Sequence, residues 1–287
     1  MNDYEKAGKI AGEALDYGKG LIKVGAKLLD VADKIEDKIK KLGGECAFPA
    51  QISLNEVAAH YCPFENDETQ FKEGDVASLD VGVHINGFIG DNAVSVDLGG
   101  NKELVEASRK ALNEAIKIIK PGVKLNEIGS AIGETITGLG FNPVRNLSGH
   151  GLGEYEIHTF PTVPNFDNGD ETEVEDGQVL AIEPFATTGS GFIEEGKESG
   201  IYALQALKNT RVESVRKVLR FIAENYQTLP FSGRWLKLPN AKFALRILER
   251  DGVLKHYKQL VEKSKGLVSQ AEHTVLVGEK TKILTKI

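Results

Sequence analysis

Leu21, Ile22, Leu28, Leu29, Ala32, Ile35, Ile39 and Leu42 recur at three- and four-residue steps between Lys, Asp and Glu, the spacing of an amphipathic helix. This spacing predicts helix over residues 2–42, bent at Gly18 and Gly20 and stopped at Gly43-Gly44. From residue 45 to about 100 the period falls to two, with turn signals at Gly74, Asn86-Gly87 and Gly99-Gly100. Helical spacing returns over 101–119, ending before Pro121-Gly122, and again over 125–138. A glycine- and histidine-rich stretch at 148–158 leads to a loop over 159–178 that holds Pro161 and Pro164. Residues 179–186 read as a short strand, 209 to about 265 as helix broken at Leu229-Pro230 and Leu238-Pro239, and 272–277 as a closing strand. No Pro-, Gly- and Ser-rich linker divides the chain, so the pattern describes one mixed α/β domain with a helical insertion.

Composition narrows the class. With 41% hydrophobic and 27% charged residues over 287 positions, the chain has an ordinary globular balance rather than a disordered one. The net charge of −7 speaks against a broad nucleic-acid surface. Two cysteines, Cys46 and Cys62, make no disulfide framework and suit a reducing cytosol. Met1-Asn-Asp-Tyr-Glu-Lys has no apolar signal core behind it, and no run of ~18 apolar residues follows, so a soluble cytoplasmic enzyme is expected. Mixed charge signs on the polar face of the first helical stretch favour packing on the domain over lying on a membrane.

The segment from Asp75 to Leu98 carries the first chemical signal. Asn86-Gly87 between two alternating runs predicts a hairpin with a type I′ turn. That turn sets Leu79 opposite Val94 and Val81 opposite Asn92, and puts Leu79, Val81, Val83, Val94, Val96 and Leu98 on one face. Asp80 then opposes Ala93 on the other face, with Asp91 one pleat away, roughly 7–8 Å along the diagonal. Two aspartates aimed at one spot call for a hard divalent cation, unless that face is open to solvent. The hairpin alone leaves both readings open.

Three further segments favour the cation. Gly149-His150-Gly151 presents an imidazole between residues small enough for close backbone approach. Glu183 interrupts the apolar run Val179-Leu-Ala-Ile-Glu-Pro-Phe, and Glu272 heads the apolar run before Val277. Asp80, Asp91, His150, Glu183 and Glu272 together form a candidate oxygen-rich site for two metals. The glycines at 149–153 lack the following helix of a phosphate loop, and no His-Glu-x-x-His helix is present.

Read together, Ala58-Ala-His60-Tyr, Leu79-Asp80 through Gly90-Asp91, Leu147-Ser-Gly-His150-Gly, Ile157-His158, Ala181-Ile-Glu183-Pro-Phe and Glu272-His-Thr resemble the methionine aminopeptidases of type 2, in the short archaeal-like form. The resemblance runs over nearly the whole chain, and the stretch after residue 208 resembles the helical insertion of type 2. It implies an α/β pita-bread fold of two pseudo-symmetric halves, a single catalytic domain over 1–287 with the insertion at approximately 208–266. It implies two divalent ions, whether Co, Mn, Fe, Zn or Ni being open. Asp80 would hold one, His150 and Glu183 the other, and Asp91 and Glu272 would bridge both. Glu183 would take a proton from the attacking water, and His60 and His158 would contact substrate. Phe48, Ile157, Ile201, Pro230 and Tyr257 would line the methionine recess.

The implied activity is removal of initiator methionine before a small second residue. Its partners would be nascent N-termini at the ribosome, for a cytoplasmic monomer that engages neither DNA nor membrane. A proline-directed peptidase on the same fold and a non-catalytic ribosome- or RNA-binding relative are the alternatives. Ser78, Ala271 and Cys62 depart from residues common in the family, and 189–200 matches it least. His84 and His273 lie in family motifs without an evident role, and His256 reads as a surface residue.

Overall fold

The computed structural model describes residues 2–208 and 210–286. Asn209, where the C-terminal helical stretch is expected to begin, lies outside the described residues, as do Met1 and Ile287. Helices α1 (Asp3–Leu21) and α2 (Leu28–Lys41) precede short strands β1 (Glu45–Cys46), β2 (Gln51–Leu54) and β3 (Val57–Ala59), then the long strands β4 (Val76–Ile85) and β5 (Phe88–Asp97). After α3 (Lys102–Ile118) and α4 (Leu125–Gly138) come β6 (Asn142–Pro143), β7 (Ser148–Gly153), β8 (Glu156–Pro164), β9 (Val179–Ile182), β10 (Phe185–Thr187) and β11 (Ile193–Leu204). The last part holds α5 (Glu213–Asn225), β12 (Phe231–Ser232), a 3-10 turn (Gly233–Trp235), α6 (Ala241–Arg250), β13 (Leu254–Glu262), β14 (Val268–Leu276) and β15 (Lys282–Ile283).

The main sheet runs β1-β4-β5-β14-β9-β7-β8, and a smaller sheet runs β12-β11-β13-β3. The hairpin register is the expected one: Leu79 faces Val94, Asp80 faces Ala93, and Gly82 faces Asp91. Leu79, Val81 and Val83 are fully buried in a core closed by α1 and α2. Burial of each such side chain contributes about 1.5–3 kcal/mol. A second core joins α3 and α4 to β9 and β14 through Leu125, Ile128, Ile132, Leu180, Ile182 and Val275. Helices therefore cover the apolar face of the sheet in both halves and leave the Asp80 face turned toward the smaller sheet.

Four expectations are corrected. The first helical stretch divides after Leu21, near Gly25 at φ +85°, and not at Gly18 or Gly20. Gly18 stays inside α1 because a Cβ there would lie 2.5 Å from Ile35 Cδ1 and 2.8 Å from Leu79 Cδ2. The expected loop over 159–178 is strand as far as Pro164, paired with β7. The run 179–186 is two strands parted at Glu183-Pro184, β10 leaving to pair with β6. Finally, within 209–265 only α5 and α6 are α-helix; residues Leu254–Glu262 form β13, paired with β11. Register shifts between Glu195 and Glu198 and between Glu198 and Tyr202 remove the two-residue period that would have exposed both strands in the sequence.

Candidate metal centre

Five neighbouring strands each bring one group to the polar face. β4 carries Asp80, β5 Asp91, β14 Glu272, the end of β9 Glu183, and β7 His150. Register sorts them into two rows. In one, Asp80 faces Ala93 and Ala93 faces Glu272, with Glu183 following Ile182, the partner of His273. In the other, Asp91 bonds Thr274, Thr274 faces Ala181, and Ala181 faces His150. Ala93 and Ala181 keep the rows narrow, and His150 approaches because the adjoining glycines allow it: a Cβ on Gly149 would lie 2.2 Å from the Ala181 carbonyl oxygen.

The side chains converge accordingly. Asp91, His150 and Glu272 offer ligand atoms within 4.8 Å of one another, as do Asp80, Glu183 and Glu272. Glu272 belongs to both groups. Here Glu183 groups with Asp80, whereas the resemblance allots it to the ion held by His150. Burial pushes the Asp80 carboxyl up to about 7. Asp91, Glu183 and Glu272 are pushed well above the carboxylate range, first by burial and then by the neighbouring carboxylates.

These residues fit a metal. Asp80 Oδ1, Asp91 Oδ1 and both Glu272 oxygens are buried without a hydrogen-bond partner among the described residues. Unpaired buried oxygens of this kind are costly, and divalent cations are their ordinary counterpart. The His150 Nδ1 lies 3.2 Å from the Gly151 carbonyl, which can only accept, so Nδ1 carries the proton and Nε2 keeps a lone pair. That Nε2 lies 3.9 Å from Asp91 Oδ2. Burial and nearby His158 lower His150 to about 3, leaving a neutral ligand.

A cavity of about 600 Å³ opens beside this cluster. Asp80, Asp91, His150 and Glu183 line it, and Glu272 lies behind them at 1% exposure. His60 and His158 line it as well, and so do Phe48, Ile157, Ile201, Pro230 and Tyr257. His60 donates from Nδ1 to the Lys258 carbonyl at 3.0 Å, which turns Nε2 into an acceptor. Burial holds His60 and His158 near 4, so both rings are neutral at neutral pH. The His158 ring packs edge-on to His150 with centroids 4.5 Å apart.

Some residues of the site are not legible in the sequence. Gln270 donates from Nε2 to Glu183 Oε1 at 2.7 Å. Gln51 accepts the His60 backbone N–H at 2.8 Å and fixes that residue at φ +66°. Neither glutamine has a distinctive neighbour pattern, and each acts through strand pairing. His256 is a correction: its side chain is 3% exposed, lines the cavity and stacks on Tyr202. His84 accepts the Gly87 N–H at the hairpin turn, and His273 meets Thr285 at 2.8 Å; neither lines the cavity.

A sequence profile of metallopeptidase family M24 matches residues 2–279. The chain belongs to this family. A methionine aminopeptidase of Archaeoglobus fulgidus is 47% identical over 96% of this chain and 94% of its own. One of Methanocaldococcus jannaschii is 44% identical over 97% of each chain. Among solved structures, a methionine aminopeptidase of Thermotoga maritima superposes with a TM-score of 0.72 at 29% identity, covering 99% of this chain and 95% of that one. A thermophilic Arx1 superposes at 0.87 with 17% identity over 99% and 90%, a likeness of fold alone. The architecture is the pita-bread fold of M24, and the family is one of metal-dependent peptidases. Among the described residues no helix is long and apolar enough to cross a membrane.

Proposed function

We propose that this chain is a type 2 methionine aminopeptidase that removes the initiator methionine of nascent proteins when the next residue is small. The observation that carries the reading is the adjacency of five ligand-type groups to a recess walled by Phe48, Ile157, Ile201 and Pro230. The archaeal relatives of matching length support it. The whole chain acts as one catalytic domain, with 208–266 as the type 2 insertion around α5 and α6. It works as a cytoplasmic monomer on N-termini emerging from the ribosome.

Asp80, Asp91, His150, Glu183 and Glu272 would hold two divalent cations, with Glu272 common to both groups of ligand atoms. Held there, such cations would supply a water of lowered pKa and Lewis-acid polarisation of the scissile carbonyl. Glu183, its Oε1 engaged by Gln270, has Oε2 left over, which would accept a proton from the attacking water. His60 and His158 present neutral imidazoles at the cavity wall, His60 with Nε2 as acceptor, and orient the peptide. The apolar recess takes an unbranched thioether side chain.

The test is cleavage of Met-Ala-Ser beside an X-Pro peptide by metal-loaded protein. Release of methionine with no X-Pro cleavage supports the assignment; X-Pro cleavage would move it to a proline-directed peptidase. Binding of peptide without turnover would make it a non-catalytic relative.

A further inference from the structure

The methionine recess has two walls from distant parts of the chain. One carries Phe48 and Gln51 in the segment entering β2; the other carries Pro230 ahead of β12, with Ile201 across the ladder from Ser232. Both walls are tied to a single carboxylate outside the cavity. Glu36, on α2, is 4% exposed and lines no part of the active cavity. Its Oε1 accepts the Ala50 backbone N–H at 3.2 Å and a second donor, Arg234 Nη2; its Oε2 accepts Trp235 Nε1–H at 2.8 Å.

Each tie leads to a wall residue. Ala50 directly precedes Gln51 and follows Phe48 with Pro49 between them, so its N–H fixes that strand entry. Trp235 packs on Tyr226 at 5.7 Å, and Tyr226 stacks on Phe231 at 4.9 Å and 9°, the residue after Pro230. The turn and β12 therefore move as one aromatic body. β12 is also held by a two-residue ladder to β11, by Cys62 Sγ 3.5 Å from Ser232 Oγ, and by Phe231, buried among the side chains of α5 and α6 and stacked on Tyr202. Arg234 also pairs with Asp33 at 2.6 Å, but Asp33 is on the surface of the same helix and reaches neither wall.

We propose that Glu36 is the clamp that sets the separation of the two walls, a positioning residue that fixes the side-chain selectivity of the recess without touching substrate. The inference rests on the methionine-removing reading above. The carboxylate is suited to the task because three donors converge on it from two segments, and one is a buried guanidinium. None of the five metal-type groups bonds Glu36, whose partners are Ala50, Arg234 and Trp235, so its loss acts first on the two walls.

The test compares Met-Ala-Ser and Leu-Ala-Ser with the full metal-loaded chain and two variants. Glu36→Gln keeps the shape but gives up the charge that binds Arg234, which retains Asp33. Its KM for the methionyl peptide is expected to rise about tenfold with kcat within about threefold, and its preference for methionine over leucine to fall about tenfold. Trp235→Phe deletes one donor, leaves the Arg234 pair and should move the same ratio in the same direction by a smaller factor; it decides the matter if Glu36→Gln does not fold. A lowered Tm with unchanged KM and unchanged preference in the folded variants would overturn the inference and leave Glu36 as scaffold. If the unmodified, metal-loaded chain released no methionine, the functional reading would fail instead.

Discussion

Asp80 and Asp91 stand in adjacent cross-strand rows of one sheet face, Asp80 opposite Ala93 and Asp91 opposite Gly82. Continued through β14, the first row reaches Glu272 and the second reaches Thr274, which both donates to and accepts from the Asp91 backbone at 2.8 Å. Two ligand groups sharing Glu272 thus follow largely from strand register, Glu183 joining from the break just after β9.

Asp91→Ala should abolish hydrolysis of a methionyl tripeptide. The loss should exceed the ~100-fold typical for residues that merely support a ligand. Metal content measured on the same sample should fall, and turnover at the unmodified rate would remove Asp91 from the site.

Gln270→Ala should act more weakly. Without the 2.7 Å donor, Glu183 is no longer oriented, and metal affinity or kcat should drop about 10–100-fold. Titration of the metal-free variant with a divalent ion separates these two effects; unchanged affinity and kcat would show that Gln270 only packs.

Gly82→Ala probes the recess from beneath. A Cβ at Gly82 would lie 2.1 Å from Phe48 Cε1, so the ring must leave its seat. Such overpacking costs about 1–3 kcal/mol and should raise KM for methionyl substrates about tenfold, with metal content unchanged.

His60 gives an acid dependence. Its folded pKa, lowered by burial to about 4, lies below the unfolded value of 6.5. The neutral ring is therefore favoured by folding: this stability is present above pH 6.5 and is lost as pH falls through the folded value. Each unit of difference corresponds to about 1.4 kcal/mol. Unfolding midpoints measured between these pH values should fall less steeply in His60→Gln than in the unmodified chain.

Much of this arrangement is legible in the chain itself. Asn86-Gly87 and the alternation around it define the hairpin register to the residue, and the helical spacing over 125–138 matches α4 at both ends. The glycines flanking His150 signal the close strand approach that β7 makes. What is hidden shares one cause, long-range pairing. β11 and β13 lose their alternation to bulges and mix exposed Glu and Lys with cavity residues, so Tyr257 and His256 reach the cavity from a segment that reads as helix. Gln270 and Glu36 gain their roles partly from groups more than 80 residues away, as in the Gln270 to Glu183 and Glu36 to Trp235 bonds.

The most direct measurement combines metal content by mass spectrometry with methionine release from Met-Ala-Ser, before chelation, after it, and after divalent metal is returned. The structure predicts bound divalent metal, loss of release on its removal and recovery on its return. Undiminished release from metal-free protein would contradict a site built from these five side chains.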